Sequence, residues 1–170
     1  MGALSRVLGD GAVEGLPMSL AVTMIVLAIT VPLILGGFRA YDRSRVEAEL
    51  ESEIGSAMAV IQMLYASGPG NSAMLEFSAA AGAFSSVEGV TFGDSPRSAL
   101  STTVRYSLAG RAEVVLPTGP PAVPMMTAAG TGLSLGGGSH RIFAECLATG
   151  EDLNGDSLVP DAYVSLSLLQ

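Results

Sequence analysis

Two periodicities divide the chain. From residue 16 to residue 38 no side chain is charged: LPMSLAVTMIVLAITVPLILGGF. As a helix these 23 residues would run about 34 Å, against a hydrocarbon core of about 30 Å, so the length fits one membrane span. A secretory h-region reaches only roughly 15 residues. Arg39, Asp42, Arg43 and Arg45 follow where a small-residue cleavage site would stand, so the segment is expected to be retained. Its alternative use is burial against copies of itself in a filament. Pro32 removes one backbone hydrogen bond, to the carbonyl of Ala28, and predicts a kink. Ala28, Gly36 and Gly37 would permit close approach of another helix. Later apolar runs are interrupted by Gly, Pro or Ser, so a single span is expected.

Beyond Arg39 the helical period persists but becomes one-sided. Val46, Leu50, Ile54, Met58, Ile61 and Tyr65 recur at spacings of three and four and form one apolar stripe. Glu47, Glu49, Glu51 and Glu53 lie mostly off it. They read as a solvated face, with a cation or partner site as the other possibility. The stop signal is SGPGN at residues 67–71, which predicts a helix end at Ala66 or Ser67. The apolar and amphipathic parts together make one helix of roughly 45–50 residues, about 70 Å long. An ordinary globular helix has about 11–12 residues.

From Ser72 the period is two. Strands are expected at 72–77, 85–92, 101–108, 111–117, 132–136, 139–149 and 161–169, with a GDSP turn after Phe92. AG at 109–110 predicts a hairpin between 101–108 and 111–117. Gly136 to Gly138 predicts a second hairpin, between 132–136 and 139–149. Pro117, Pro120, Pro121 and Pro124 confine the stretch between to loop or edge. Val164, Leu166 and Leu168 share one side of the last strand, which is expected to be paired, because a free apolar edge aggregates. The expected fold class is therefore α+β: a long N-terminal helix followed by an antiparallel β-sandwich-like domain. The expected division is a leader over 1–11, the helix over 12–67 and the β-domain over 72–170.

Composition narrows the chemistry. The chain has 170 residues, 49% of them hydrophobic and 14% charged, and a net charge of −8. All eight basic residues are arginine. Nucleic acid is thereby disfavoured as the main partner, since phosphate binding needs clustered cations. The single cysteine, Cys146, excludes an internal disulfide, and its place in an apolar strand pattern predicts burial. The single histidine, His140, follows GGGS and is expected at the surface; alone it makes a His-rich metal site or a His-based triad improbable. No catalytic constellation and no cofactor motif is recognisable. DLNGD at 152–156 resembles the start of a calcium loop, with Asp152, Asn154 and Asp156 at its first, third and fifth positions and Asp161 beyond. Ser157 stands where the loop needs Gly, and Tyr163 where it needs a bidentate Glu. The competing reading is an acidic turn between two strands.

The stretch GDGAVEGLPMSLAVTMIVLAITVPLILGG, a short leader and a glutamate before a long uncharged helix, resembles archaeal type IV pilin-like proteins with a class III signal peptide. The resemblance covers the N-terminal third. It implies that a prepilin peptidase cuts before the helix, after a small residue. Two cuts fit: after Gly9, leaving Asp10 first and Glu14 at mature position five, or after Gly11, leaving Ala12 first and Glu14 at position three. The family usually has Lys or Arg beside the cut, where this chain has Leu8 or Asp10. It further implies self-assembly through the N-terminal helix, an assembly ATPase and a membrane platform protein. A carboxylate among packed apolar helices is costly unless paired. A neighbour's freed amine is one partner for Glu14; the other reading is a helix-N-terminal carboxylate.

The functional expectation is a non-enzymatic subunit, major or minor, of a pilus-like surface filament, with adhesion as the associated role. The precursor would sit in the cell membrane. The alternative is a single-span, membrane-anchored extracellular β-domain acting as a binding module. Positive-inside counting sets Arg6 and the α-amino group against Arg39, Arg43 and Arg45, a difference of about one charge towards a cytoplasmic C-terminal side, opposite to the exported orientation.

Overall fold

The computed structural model describes residues 11–150, 153 and 161–169, with side chains from residue 18 onward. Among these described residues one helix, α1 (Gly11–Ala66), precedes eight strands: β1 (Ser72–Ala79), β2 (Val87–Phe92), β3 (Thr103–Leu108), β4 (Val114–Pro117), β5 (Met125–Met126), β6 (Leu133–Leu135), β7 (Gly138–Thr149) and β8 (Asp161–Leu169). The chain divides into two compact units that meet in the sequence between Tyr41 and Asp42, inside α1.

The first unit's described side chains belong to one exposed helical segment. The second unit is an α+β domain. Its strands form two four-stranded sheets, ordered β1-β7-β8-β5 and β4-β3-β2-β6. Every pairing is antiparallel except the short parallel one between β5 and β8. The alternation of each strand sends one side inward. Leu75, Phe77 and Ala79 of β1, Ile142, Ala144 and Cys146 of β7, and Val164 and Leu166 of β8 are buried from one sheet. Val90, Phe92, Val104, Tyr106, Leu108 and Leu135 are buried from the other. Phe77 and Phe92 meet edge to face across the two sheets, with ring centroids 5.4 Å apart and planes at 88°.

The amphipathic part of α1 completes this core. Val46, Leu50, Ile54, Ala57, Met58, Ile61 and Leu64 are buried in the same cluster as both sheets. Burying each large aliphatic among them is worth about 1.5–3 kcal/mol, which holds the helix to the domain. Tyr65, placed on the same stripe by its spacing, is only half-buried. The helix stops at Ala66, where Gly68 takes φ +86°. The Asn71 amide donates to the carbonyls of Ser67 and Gly68, at 2.9 and 3.0 Å. Asn71 and Gly70 then exchange backbone hydrogen bonds with Cys146, so the helix end is tied to β7.

The β3–β4 hairpin forms about Gly110 (φ +73°), as the AG signal predicts. The hairpin expected between 132–136 and 139–149 does not form. β6 pairs with β2, and β7 pairs with β1 and β8. Three consecutive glycines allow a passage between sheets as readily as a tight turn: at Gly137 a Cβ would stand 3.3 Å from the Val87 carbonyl oxygen and 3.8 Å from that of Ala79, one from each sheet. The proline-rich stretch is also more buried than its composition suggests. Val123, Pro124, Met125 and Met126 lie in the interior, with the Met125 N–H on the Ser101 carbonyl and the Pro124 carbonyl accepting from Val164.

Candidate functional site

Among the described residues the apolar run of α1 is the most continuous stretch of exposed apolar side chains. Met18, Leu20, Met24, Ile25, Ile29 and Leu33 are all more than half exposed, and an 18-residue window has a mean hydropathy of 2.5. The segment is long and apolar enough to cross a membrane. Large apolar surfaces of this kind mark sites of contact with lipid or protein. Its two threonines suit a dry surrounding. The Thr23 hydroxyl donates to the Ser19 carbonyl at 2.8 Å, and that of Thr30 to the Val26 carbonyl at 2.7 Å. Both groups are satisfied within the helix, which is what hydrocarbon demands of any polar group.

The helix runs through Pro32 without interruption. A Cβ added at Gly36 or Gly37 would meet nothing within 4 Å. Between Ile34, Phe38 and Tyr41 the side chains leave a shallow hollow over Gly37. Small residues at an exposed helix surface let a second backbone approach. The processing candidates Gly11 and Ala12, and the assembly candidate Glu14, belong to the first turns of α1, but their side chains lie outside the described residues, as do Gly9 and Asp10 altogether.

In the second unit the acidic run is not a uniform solvated face. Glu49 is exposed, with Arg45 at 3.9 Å one turn away. Glu47 and Glu51, four residues apart and so on one side of the helix, face the β3–β4 hairpin. The buried Tyr106 hydroxyl donates to Glu51 Oε1 at 2.7 Å and lies 3.5 Å from Glu47 Oε1. Arg111 grips both Glu47 oxygens at 3.2 and 3.1 Å. Burial, then the hydrogen bond to Glu51 and the two negative charges, push the Tyr106 phenol above its ordinary range. These two glutamates thus have partners inside the chain, where the sequence pattern predicts mainly a solvated face.

Asp42 has a comparable role. Its Oδ2 accepts the Phe84 N–H at 2.9 Å and its Oδ1 the Ala83 N–H at 3.0 Å. The Phe84 bond, countered by partial desolvation and joined by the Ala83 bond, holds the carboxyl below its usual range. Nothing in the sequence pattern marked this contact.

The other chemistry-bearing residues are dispersed. Cys146 is fully buried opposite Val164, as its strand context predicts, and desolvation pushes its thiol up. His140 is half-buried near the start of β7, with Nε2 2.9 Å from the Gly136 carbonyl oxygen, rather than on an exposed turn. It borders an open groove of about 790 Å³ with Glu53, Leu168 and the Glu76–Arg141 pair, whose contact is 3.3 Å. Of the calcium candidates, Asp152, Asn154 and Asp156 lie outside the described residues. Asp161 opens β8, and its carboxylate accepts the Leu153 N–H. Among the described residues no three His, Cys, Asp or Glu side chains are grouped to hold a metal ion.

The chain thus pairs an exposed, membrane-compatible helix with an α+β domain. It matches no described protein family, no curated protein and no solved structure.

Proposed function

We propose that this chain is a structural subunit of a type IV pilus-like surface filament, assembled through its apolar N-terminal helix and without a catalytic role. One observation carries the reading. A single helix has two differently built halves: residues 18–38 expose apolar side chains throughout, whereas from Val46 its apolar stripe is buried in the β-domain. An anchor alone needs the first half only. A subunit that leaves the membrane for a helical filament core uses both: a dry surface acceptable to lipid or to other helices, and a stretch of the same chain packed into the domain. The self-satisfied Thr23 and Thr30, and the open Gly36 and Gly37, suit either dry environment.

In this reading a prepilin peptidase frees the N-terminus after Gly9 or Gly11, and Glu14 pairs with the amine of a neighbouring subunit. An assembly ATPase and a membrane platform protein drive extrusion, and the β-domain faces the outside, where adhesion is the role.

N-terminal sequencing and intact mass of the protein from its native membrane or filament fraction test the proposal. A mature chain starting at Asp10 or Ala12 with the helix retained is expected. Detergent-soluble monomers that begin at Met1 would overturn it. Glu14→Ala is expected to leave membrane insertion intact and to reduce assembly; filaments of normal number and length from this variant refute the pairing role.

A further inference from the structure

The loop between β2 and β3 contains a strained turn. Ser98 donates its N–H to the Ser95 carbonyl at 3.1 Å, with Pro96 and Arg97 as the two central residues. Arg97 takes φ +64°, a conformation that a turn of this form normally gives to glycine or asparagine. Among the described residues no other non-glycine residue has a positive φ. An arginine standing where glycine would fit more easily points to a use for its side chain. The turn is also firmly held. The Ser98 hydroxyl donates to Asp94 Oδ2 at 2.9 Å, and the Asp94 N–H to the Met125 carbonyl at 3.3 Å. Ser95, Pro96 and Arg97 are exposed. The result is a fixed knob that carries one apolar ring and one cation.

The groove bordered by His140 is the complement of this knob. Glu53, Glu76 and Arg141 set two carboxylates against one guanidinium there, and Arg141 is engaged by Glu76. Glu53 is half-buried and has no hydrogen-bonding or ionic partner among the described residues. Leu168 and Leu169 line the same groove and are 44% and 40% exposed. A carboxylate without a counter-charge beside an apolar wall is what a proline ring followed by an arginine requires. The two features lie towards opposite ends of the strands. A Cβ at Gly137, just before β7, would meet the carbonyls of Val87 and Ala79. The start of β2 therefore shares an end with the close of β1 and the start of β7, where Ser139 lines the groove. β2 leads away from that end to Phe92, and the turn follows at the other.

We propose that the Pro96–Arg97 turn of one copy of this chain docks in the Glu53 groove of a second copy, with the guanidinium on the Glu53 carboxylate and the proline ring against Leu168 and Leu169. Knob and groove are different patches, so each copy offers both at once. A contact of this kind is heterologous and extends into an open array when its rotation does not close a ring. The net charge of −8 opposes indiscriminate approach of copies, so a matched cation and carboxylate fixes which surfaces meet. The inference deepens the filament reading and rests on it only for bringing copies together.

Disulfide trapping between full-length chains tests the contact. Ser95→Cys on the turn and Ser139→Cys in the groove each add one thiol and leave every charge in place, and the native Cys146 is buried. The two variants are produced together, and their membrane and filament fractions are oxidised with copper phenanthroline. A cross-linked dimer is expected from the mixture and not from either variant alone. Arg97→Glu in the Ser95→Cys chain, or Glu53→Arg in the Ser139→Cys chain, should reduce the dimer several-fold, and the two together should restore it. Arg97→Gly suits the backbone of the turn, so it should hold or raise the melting temperature while reducing the dimer several-fold. Filaments that form without the mixed dimer refute the docking and leave the filament reading standing. A mixed dimer in membranes that yield no filaments refutes that reading and keeps the docking. Absence of both overturns both. An undiminished dimer from Arg97→Gly, or no rescue by the exchanged charges, overturns the pairing of Arg97 with Glu53.

Discussion

Removing one oxygen atom, in Tyr106→Phe, tests whether the acidic run of α1 is a structural element of the β-domain. The ring is buried, so the substitution keeps its packing and deletes only the hydroxyl that donates to Glu51 at 2.7 Å. A hydrogen bond to a charged acceptor contributes about 1.5–3 kcal/mol. Glu51 is exposed and regains water when the hydroxyl is lost, and Glu47 keeps Arg111. The lower end applies, so the loss should be about 1.5 kcal/mol, or roughly 5 °C in melting temperature for a domain of this size. Urea unfolding of the full chain in non-ionic detergent, followed by near-ultraviolet circular dichroism, measures it. A cycle with Glu51→Ala should return a coupling of about 1 kcal/mol. The pH dependence supplies an independent sign. The folded phenol titrates above its unfolded value of about 10, so its contribution is complete below pH ~10 and is lost as the pH rises through the folded value. Tyr106→Phe should flatten that alkaline loss. A change under about 0.3 kcal/mol with no coupling would refute the assignment, because it would place Glu51 among the many exposed carboxylates that contribute nothing measurable.

Three further outcomes follow from contacts described above. Asp42 titrates below its unfolded value of about 3.9, so its contribution is present above pH ~4 and lost as the pH falls through the folded value; the difference in melting temperature between the native chain and Asp42→Asn should be largest near neutrality and vanish in acid, and a pH-independent difference would count against the clamp. Gly93 has φ +66°, and a Cβ there would sit 1.9 Å from the Met125 carbonyl oxygen, whereas Gly110 has φ +73° in open space; Gly93→Ala should cost about 3 kcal/mol and Gly110→Ala about 1 kcal/mol in the same unfolding assay, and equal costs would contradict the steric account. The buried Cys146 should react with a thiol reagent roughly a thousandfold slower in the native chain than in urea, since labelling waits on opening of the domain; comparable rates would show that the β7–β8 ladder is not closed in solution.

The one-dimensional features of this fold were legible and the two-dimensional ones were not. The change from a period of three and four to a period of two at Ser72 marks the end of α1 and the start of β1, because each geometry repeats its buried side at its own interval. The stripe from Val46 to Ile61 is buried throughout for the same reason. Strand partners, in contrast, depend on contacts between distant residues. Leu133 to Leu135 reads as the neighbour of the strand that follows, yet its partner is β2, since glycines at 136–138 serve a crossing as well as a hairpin. β5 leaves no signal in the sequence, because two residues carry no period and the prolines before it argue for a loop; Pro124 lacks an N–H but still supplies a carbonyl to Val164. The apolar site was the most legible feature, being written in consecutive residues. The Asp42 clamp was invisible, since it joins a side chain to backbone N–H groups about forty positions away, and backbone groups leave no mark in sequence.

The strand order described above also carries a timetable. In the sheet β4-β3-β2-β6 the central pairs are local: Phe92 meets Val104, and Tyr106 meets Val114. In the other sheet Ser72 pairs with Glu145, and β7 is completed only by β8. Loop closure over short separations precedes closure over long ones, so the β2–β3–β4 meander is expected to form early and β1 to wait. The apolar stripe of α1 is buried in one cluster with residues of both sheets, so its cover is complete only when β7 and β8 have joined. The slow step in folding is thus expected to be the closing of the first strand on the late ones, with the apolar stripe of α1 uncovered in the interval.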